Sequence, residues 1–466
     1  MFRGVRFLLV WILPLTVFCG CTTHAKRWAD LQRSFQQGDI ESASRLADQL
    51  AEKNRKNAVL VKLDQSIVKL AQNRPDQAER ILREVRDQFA SQDPLQHLGK
   101  AASLVSDDQA RPFQPDEYEQ LFVLIFLAIS NLLQNGDDAF AYANQLTALQ
   151  AEIENRIRES RRGLEQSDNG SGLPPNQGGE APGEEAGVVP FRQIALAPFI
   201  AGVLHEETHR DYDSAELYFE RAARFQPGFQ EAQRGVLRTR DGRHSLPGNG
   251  VLYVFAAVGR GPRKVEKEEI PTSQALLIAD RMLSALGDHT LPPTLSPIRT
   301  SRVEVLPGSL RNIRVMVDGR VVGQTETVTD LGQIAKQQDL ASHPAEMARA
   351  IVRRVVKKSA VYASKDALGT ERNSWADLLI NAGGVLWEAT ESADTRCWRL
   401  LPEKIQVLRV ELPVGSHPVQ LLPIGDRSEE SNQSQVEIRD GANTYLFANF
   451  PTGRRSGEIL VSSRGR

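Results

Sequence analysis

The chain has 466 residues, enough for roughly two to four domains, and its 41% hydrophobic content provides ample material for a core. A formal net charge of -2 gives no overall electrostatic basis for binding nucleic acid, so no nucleic-acid partner is expected. Three cysteines are too few for a disulfide framework, and the fold must be held together by its core.

The first twenty residues have the layout of a secretory signal. Arg3 and Arg6 precede an apolar run from residue 7 to residue 18. That run is shorter than the roughly 20 residues that a helix needs to span a bilayer, and its basic start and short apolar core are typical of signal peptides. We therefore predict a lipoprotein signal peptide over residues 1–20. An ordinary signal peptide or a short membrane anchor is the alternative.

The end of the apolar run favours lipid attachment. The tetrapeptide FCGC, which ends at Cys21, resembles a bacterial lipobox with a small residue directly before the cysteine that receives lipid. Several acyl chains, at about 0.8 kcal/mol per buried methylene, hold a folded protein on a membrane. We expect covalent lipid on Cys21 and a short lipidated tether over residues 21–27. Thr22 follows, rather than the aspartate associated with inner-membrane retention, which favours the periplasmic face of the outer membrane.

Residues 28–240 have the pattern of paired helices. Apolar residues recur at spacings of three and four, interrupted by polar turns. Small residues follow each turn where two helices would cross closely, namely Ala43, Ala78, Ala141 with Ala148, and Ala215 with Ala222. Ala43 and Ala78 are 35 residues apart, close to the tetratricopeptide period of 34. We predict tetratricopeptide-like repeats forming an α-helical superhelix; a plain helical bundle is the alternative.

One segment within this region has a different composition. Residues 164–190 include ten Gly or Pro residues and no Lys or Arg. Such a segment buries too little apolar surface to offset its conformational entropy. We predict a disordered acidic loop there and assign it no function.

Past residue 248 the pattern changes to short apolar runs that predict strands. Asp318-Gly319 has the composition of a hairpin turn, and a helix is predicted to begin at Ser342. Another strand is expected at residues 383–390. We predict a mixed α/β domain over residues 248–425 and a polar tail with one strand over residues 426–466. The expected fold class is therefore α+β, a helical superhelix followed by a mixed α/β domain.

Two short elements give the chain a resemblance. A Gly-x-x-Pro-x-Lys element and an Ala-Asp-Thr-Arg-x-Trp-x-x-Leu-Pro element, together with the order of helices and strands, make residues 20–425 similar to a family of uncharacterised bacterial tetratricopeptide-like lipoproteins. The resemblance implies a helical half, a strand-rich half and a place in the cell envelope, but no activity. The matching residues are Gly259, Pro262, Lys264, Ala393, Asp394, Thr395, Arg396, Trp398, Leu401 and Pro402.

The pentapeptide HEETH raises a catalytic alternative. On a helix, His205 and His209 lie on one face and could bind zinc, with Glu206 as the general base of a metallopeptidase. A third ligand could come from Glu220 or Glu231, although both fit an exposed repeat surface equally well. The charged Glu207 and Arg210 are unusual for such a site, and His209 falls where the repeat places its turn. We therefore expect no metal, with zinc kept as the alternative.

The two family elements supply a candidate binding surface made of Gly259, Pro262, Lys264, Asp394, Arg396 and Trp398. Arginine and aromatic side chains are common anchors at interfaces. The structural alternative is a corner in which Arg396 pairs with a carboxylate and Trp398 packs beneath it. We expect Lys264 in solvent and Cys397 as a buried small hydrophobe.

The sequence predicts an envelope lipoprotein that acts as a tetratricopeptide-type scaffold, with a concave surface for a protein or peptide partner and no catalytic residue. It needs no cofactor beyond the lipid on Cys21. The alternative is the zinc metallopeptidase built on the HEETH pentapeptide.

Overall fold

The protein is described from a computed structural model. The structure describes residues 18–90, 113–134, 136–168, 193–286, 297–308, 310–367, 392–425 and 433–463. Most of the predicted signal peptide, the acidic segment from residue 169 onward and the strand predicted at residues 383–390 lie outside the described residues. Cys21 lies in the first helix, whose side chains are described from Lys26 onward.

The N-terminal half is helical, as predicted. Each helix contacts the next one along the chain, and the short connections between partners make them antiparallel hairpins. A single 3₁₀ turn, Arg55–Asn57, separates the second and third helices. The helices are α1 Phe18–Gln36, α2 Ile40–Lys53, α3 Ala58–Ala71, α4 Pro75–Ala90, α5 Glu117–Leu132, α6 Ala139–Asp168, α7 Leu196–Glu207, α8 Tyr212–Phe225 and α9 Gln230–Arg240.

Each turn within a pair contains one residue with left-handed backbone geometry. These residues are Gly38, Asn73, Gly136 and His209, with φ values of 80°, 57°, 76° and 56°. A left-handed residue just past the last helical turn ends a helix while its carbonyls remain bonded. The same left-handed turn thus ends the first helix of each of the four pairs. In the fourth pair this turn places His209 beyond the end of α7.

The alanines predicted at the helix crossings are only partly where they were expected. Ala43, Ala78, Ala215 and Ala222 are fully buried, but Ala141 and Ala148 are exposed, so the prediction was wrong for the third pair. There the buried position four residues after the turn belongs to Tyr142, whose hydroxyl donates to Glu79 Oε1 at 2.8 Å. A tyrosine fits at this position because the buried Glu79 carboxylate of the preceding pair accepts a hydrogen bond from its hydroxyl.

The C-terminal half contains three sheets. The largest has the order β11-β10-β1-β7-β6, with β1 parallel to β10 and antiparallel to β7. A second sheet has the order β5-β4-β8-β9, and β2 pairs with β3. The strands are β1 Asn249–Val258, β2 Arg263–Glu269, β3 Ile298–Glu304, β4 Asn312–Val317, β5 Arg320–Gln324, β6 Glu326–Asp330, β7 Lys404–Pro413, β8 Gly415–Ile424, β9 Gln433–Ile438, β10 Asn443–Phe450 and β11 Ser456–Val461.

The sequence misplaced two features of this half. Residues 426–466 are not a polar tail with one strand, because they supply three strands, and β10 lies inside the five-stranded sheet. The helix predicted from Ser342 begins eleven residues earlier, and α11 spans Leu331–Ala367. Asp330 explains that start, since its Oδ1 accepts from the Gln333 N–H at 3.0 Å. The Asp318-Gly319 hairpin is confirmed between β4 and β5.

The five-stranded sheet is buried on both faces. One face packs against the four-stranded sheet through alternate residues of β1 and β10, and the other packs against the helical half in one continuous core. The helices that contact it include the first members of the four pairs, together with α9 and the start of α11. In α5, which is one of them, fourteen of the 16 residues are buried. The two halves predicted as separate domains therefore share a hydrophobic core.

Individual contacts locate the sheet against each first helix. Ser456 Oγ donates to the Phe35 carbonyl of α1 at 2.6 Å, and a Cβ at Gly457 would come within 2.3 Å of the Ala71 carbonyl of α3. Ring contacts continue the series, from Phe126 of α5 to Phe447 at 6.5 Å and from Phe199 of α7 to Tyr253 at 6.2 Å. The second helices α2, α4 and α8 bury one face only.

A third, smaller core lies where α10, Ser273–Leu286, packs against α11 and β3. Within the described parts of the chain, none of the helices combines the length and the apolar character that a bilayer span requires. The fold is thus three layers, helices on a five-stranded sheet on a four-stranded sheet, with a helical pair at one side.

Candidate functional site

The two family elements meet in the structure. The Gly261 N–H donates to the Leu401 carbonyl at 2.8 Å, which joins residues 259–264 to residues 393–402. Gly259 has a φ of 79°, and a Cβ there would lie 2.7 Å from Glu403 Oε2, so the turn requires glycine. We call these two segments, with the carboxylates that hold them, the clasp.

Two helix carboxylates hold the second segment of the clasp. Glu119 Oε1, from α5, accepts from the Trp398 N–H at 2.5 Å, and Asp64 Oδ1, from α3, accepts from the Leu400 N–H at 3.1 Å. Trp398 itself is 0% exposed, with its ring 5.8 Å from that of Phe126. The clasp therefore attaches the sheet half to two successive helical pairs.

Burial controls the protonation of both carboxyl groups. Burial raises the pKa of Asp64 to about 7, against the opposing effects of the Leu400 N–H and the Arg399 charge. Burial and the nearby Asp116 charge raise the pKa of Glu119 to about 8, while the charge of Lys264 and two backbone N–H groups oppose that rise. Both carboxyl groups therefore carry protons in the folded protein at a pH where free carboxyl groups have lost them.

Lys264 was expected in solvent, and this was wrong. Its side chain is 15% exposed, and its Nζ lies 2.7 Å from Asp116 Oδ1. Asp116 also sits in a capping box at the start of α5, where its own N–H donates to Glu119 Oε2 at 2.8 Å. The Asp116 carboxylate compensates the charge of the buried lysine. The ion pair joins β2 to the helical half.

Arg396 is fixed by three acceptors. Its Nε and Nη2 donate to the two Asp394 oxygens at 2.8 and 2.6 Å, and its Nη1 donates to Asn57 Oδ1 at 2.9 Å. The neighbouring Cys397 is buried, and burial raises the pKa of its thiol to about 11, which keeps it un-ionised. These contacts are those of the structural corner that the sequence left as an alternative.

The six predicted surface residues thus come together, but as an internal joint. Gly259, Pro262 and Trp398 are buried, while Lys264, Asp394 and Arg396 are half-buried and bonded to other parts of the chain. The environment of Lys264 was predicted wrongly, while the contacts of Arg396 and Trp398 are those of the structural corner that the sequence offered beside a binding surface. It missed Asp64, Asp116 and Glu119, which look like ordinary polar positions on amphipathic helices.

The three HEETH residues have separate partners. His205 Nδ1 lies 2.6 Å from Asp211 Oδ2, and its ring stacks on Tyr218 with centroids 5.3 Å apart. His209 follows the end of α7, and its Nε2 lies 2.6 Å from the Gly441 carbonyl oxygen. The prediction that His209 falls at the turn is confirmed.

Glu206 is the central residue of a second joint. It is 0% exposed, and Arg238 of α9 donates from Nε to Glu206 Oε1 at 2.9 Å and from Nη1 to Glu231 Oε1 at 2.7 Å. Glu231, expected on an exposed surface, is buried by this contact. Burial raises the pKa of Glu231, and the Arg238 charge opposes that rise. We call Glu206, Glu231, Arg238 and Tyr253, whose hydroxyl is 3.4 Å from Glu206 Oε2, the α7 joint.

The charged Glu207 also has a structural partner, because its Oε1 accepts from the Asn443 N–H at 2.9 Å and so ties α7 to β10. The sequence missed Arg238; the available signal was its spacing of seven from Glu231, which puts both residues on one face of α9. Within the described residues, no group of three His, Cys, Asp or Glu side chains is placed to hold a metal ion. Comparisons with protein-family models, with curated proteins and with solved structures find no match.

Proposed function

We propose that the protein is a lipid-anchored scaffold of the cell envelope. Lipid on Cys21 would hold it on the outer membrane with the folded body in the periplasm, and a protein or peptide would be its partner. The lipobox-like tetrapeptide and the resemblance to tetratricopeptide-like lipoproteins support this location. The helical pairs with their repeated turns support a tetratricopeptide-type array.

The proposal depends on which face of the helical array is exposed to solvent. The first helices are covered by the chain's own sheet and are therefore not available to a partner. The second helices bury one face and turn the other to solvent. We therefore assign partner binding to the outer face of α2, α4, α6 and α8, where Ala141 and Ala148 are exposed.

The zinc metallopeptidase is the weaker proposal. Its general base would be Glu206, but that carboxylate is fully buried and bonded to Arg238. A base must reach the proton that it removes, either directly or through a single water. His205 and His209 would also have to give up their contacts with Asp211 and the Gly441 carbonyl in order to bind a metal ion.

Two measurements in cells test the scaffold. Cys21→Ser should move the protein from the membrane fraction to the soluble fraction. A photo-crosslinking residue at position 141 or 148 should give a discrete adduct in membranes, whereas the same residue at Val321, exposed on the edge strand β5, should not. Adducts from position 321 alone, or membrane attachment that survives Cys21→Ser, would overturn the proposal.

A further inference from the structure

The helix that carries the proposed lipid begins before the lipidated residue. α1 spans Phe18–Gln36, so residues 21–27, expected to form a tether, belong to a helix. Trp28, seven residues after Cys21, is already buried in the core. At 1.5 Å per residue, those seven residues rise about 10 Å. A lipid on Cys21 would therefore hold the folded body directly against the membrane.

The antiparallel order of the helices decides which end of the array faces the membrane. α1 and α2 form a hairpin, so the end of α2 and the start of α3 lie at the same end as the start of α1. The clasp confirms this arrangement. Its Arg396 bonds Asn57 at the start of α3, and the Arg399 guanidinium lies 5.8 Å from the ring centre of Trp28. We call this the anchor end.

The part of the anchor end formed by α1, α2 and α3 is basic. Lys26 on α1 and Lys53 and Lys56 around the connection between α2 and α3 are exposed, and none of the three forms an ion pair with another described residue. Arg27 is half-buried beside them, and Glu52 is the acidic residue of the same connection. Exposed lysines without a carboxylate partner are available to anions in solution or on a surface.

The opposite end of the array has the opposite balance. It is formed by the four turns within the helical pairs, whose charged residues are mostly acidic. The charged residues of these four turns are Asp39, Arg74, Asp137, Asp138, Arg210 and Asp211.

We infer that the anchor end lies on an anionic phospholipid surface, with Lys26, Lys53 and Lys56 against the headgroups. Basic side chains next to an acyl anchor are attracted to anionic lipids, and together the two interactions hold a protein more firmly than either alone. Such contact would also fix the orientation of the body and leave the outer face of the second helices accessible. The inference rests on the proposed lipid anchor.

The test uses the full, acylated chain in two kinds of vesicle, phosphatidylcholine with phosphatidylglycerol and phosphatidylcholine alone, because neither lipid has an amine that the reagent acetylates. Brief amine acetylation followed by mass spectrometry gives the modification rate of each lysine. Lys26, Lys53 and Lys56 should react several-fold more slowly on the anionic vesicles, and high salt should remove the difference. Lys267 and Lys336, exposed on β2 and α11, are the matched controls and should react equally on both.

A paired variant separates charge from position. Lys53→Glu with Lys56→Glu should abolish the protection of Lys26 on anionic vesicles, while Lys267→Glu with Lys336→Glu should keep it. Equal rates on both vesicles, in protein whose intact mass includes the acyl groups, would overturn the inference and leave the anchor standing. An intact mass without acyl groups would instead overturn the proposed anchor, and the inference with it.

Discussion

The clasp and the α7 joint solve the same problem differently. Both place acidic side chains of helices in the core, where they hold the sheet half. In the α7 joint, Arg238 supplies a fixed positive charge to Glu206 and Glu231. In the clasp, Asp64 and Glu119 accept backbone N–H groups, and among the described residues no basic side chain bonds either one directly. A buried carboxyl group without a bonded cation is stabilised by keeping its proton.

Because of this difference, we expect the stability of the two joints to respond to different changes. The α7 joint depends on ion pairs between Arg238 and two buried carboxylates, so it should be sensitive to mutation. The clasp contains groups with pKa values of about 7 and about 8, so it should be sensitive to pH. The variants below test that separation.

The largest effect is expected from Arg238→Met. The substitution keeps much of the side-chain volume but leaves the buried Glu206 carboxylate without its cation and removes one of the two arginines that pair with Glu231. Breaking a buried pair in this way costs about 3–5 kcal/mol. Denaturant unfolding followed by circular dichroism measures the loss. Arg240→Met is the matched control on the same helix, because Arg240 pairs with Glu216 and Glu220 in solvent. A similar loss in both variants would contradict a special role for the α7 joint.

A smaller effect is expected from the close packing beside that joint. The Phe219 ring lies between Gly202 of α7 and Gly235 of α9, and a Cβ at Gly202 would fall 2.9 Å from the ring. Gly202→Ala should destabilise the protein by about 1–3 kcal/mol, although alanine normally favours a helix. Gly228→Ala meets no atom within 4 Å and is the control. Equal thermal unfolding of the two variants would show that α7 can shift without cost.

Per unit of pH, the clasp should give the smallest effect, and this effect should depend on pH. The pKa values of Asp64 and Glu119 are raised to about 7 and about 8, while those of free carboxyl groups lie near 4. The folded state therefore binds more protons than the unfolded state within that interval. The stability due to these protons is complete below a pH of about 4, falls as the pH rises, and is lost once the pH passes the folded values.

Asp64→Asn and Glu119→Gln keep an acceptor oxygen for the clasp N–H groups but cannot titrate. Between pH 5 and pH 7 the unfolding free energy of the unmodified protein should fall as the pH rises. In each variant this fall should be shallower by about 1 kcal/mol per pH unit. Urea unfolding at a series of pH values measures the decline. A variant whose stability depends on pH as steeply as that of the unmodified protein would show that its carboxyl group does not titrate as described.

The sequence predicted local features well. The helical pairs, the polar turns between their helices and the Asp318-Gly319 hairpin depend on periodicity and on residues that adopt left-handed geometry. These signals act within a few residues and can be read directly. The position of His209 at a turn was predicted for the same reason.

The burial of a side chain could not be predicted where it depends on contacts with residues far away in the sequence. Glu119 meets Trp398, and Asp64 meets Leu400, across more than 270 residues of sequence, and nothing beside either acid distinguishes it from a solvent-exposed one. Lys264 was misplaced because its partner, Asp116, lies in another element. The one strand predicted in the polar tail is β10, but its place inside the five-stranded sheet could not be predicted, because its partner β1 lies nearly two hundred residues earlier.

The measurement that tests the account most directly is the zinc content of the purified full-length protein after reconstitution, alongside that of His205→Ala. Glu206 and His209 are bonded within joints between helix and sheet, so we expect no stoichiometric zinc in either protein, with both remaining folded. Stoichiometric zinc in the unmodified protein that is lost in His205→Ala would contradict it. That result would make the HEETH pentapeptide a metal site and the protein a candidate metallopeptidase.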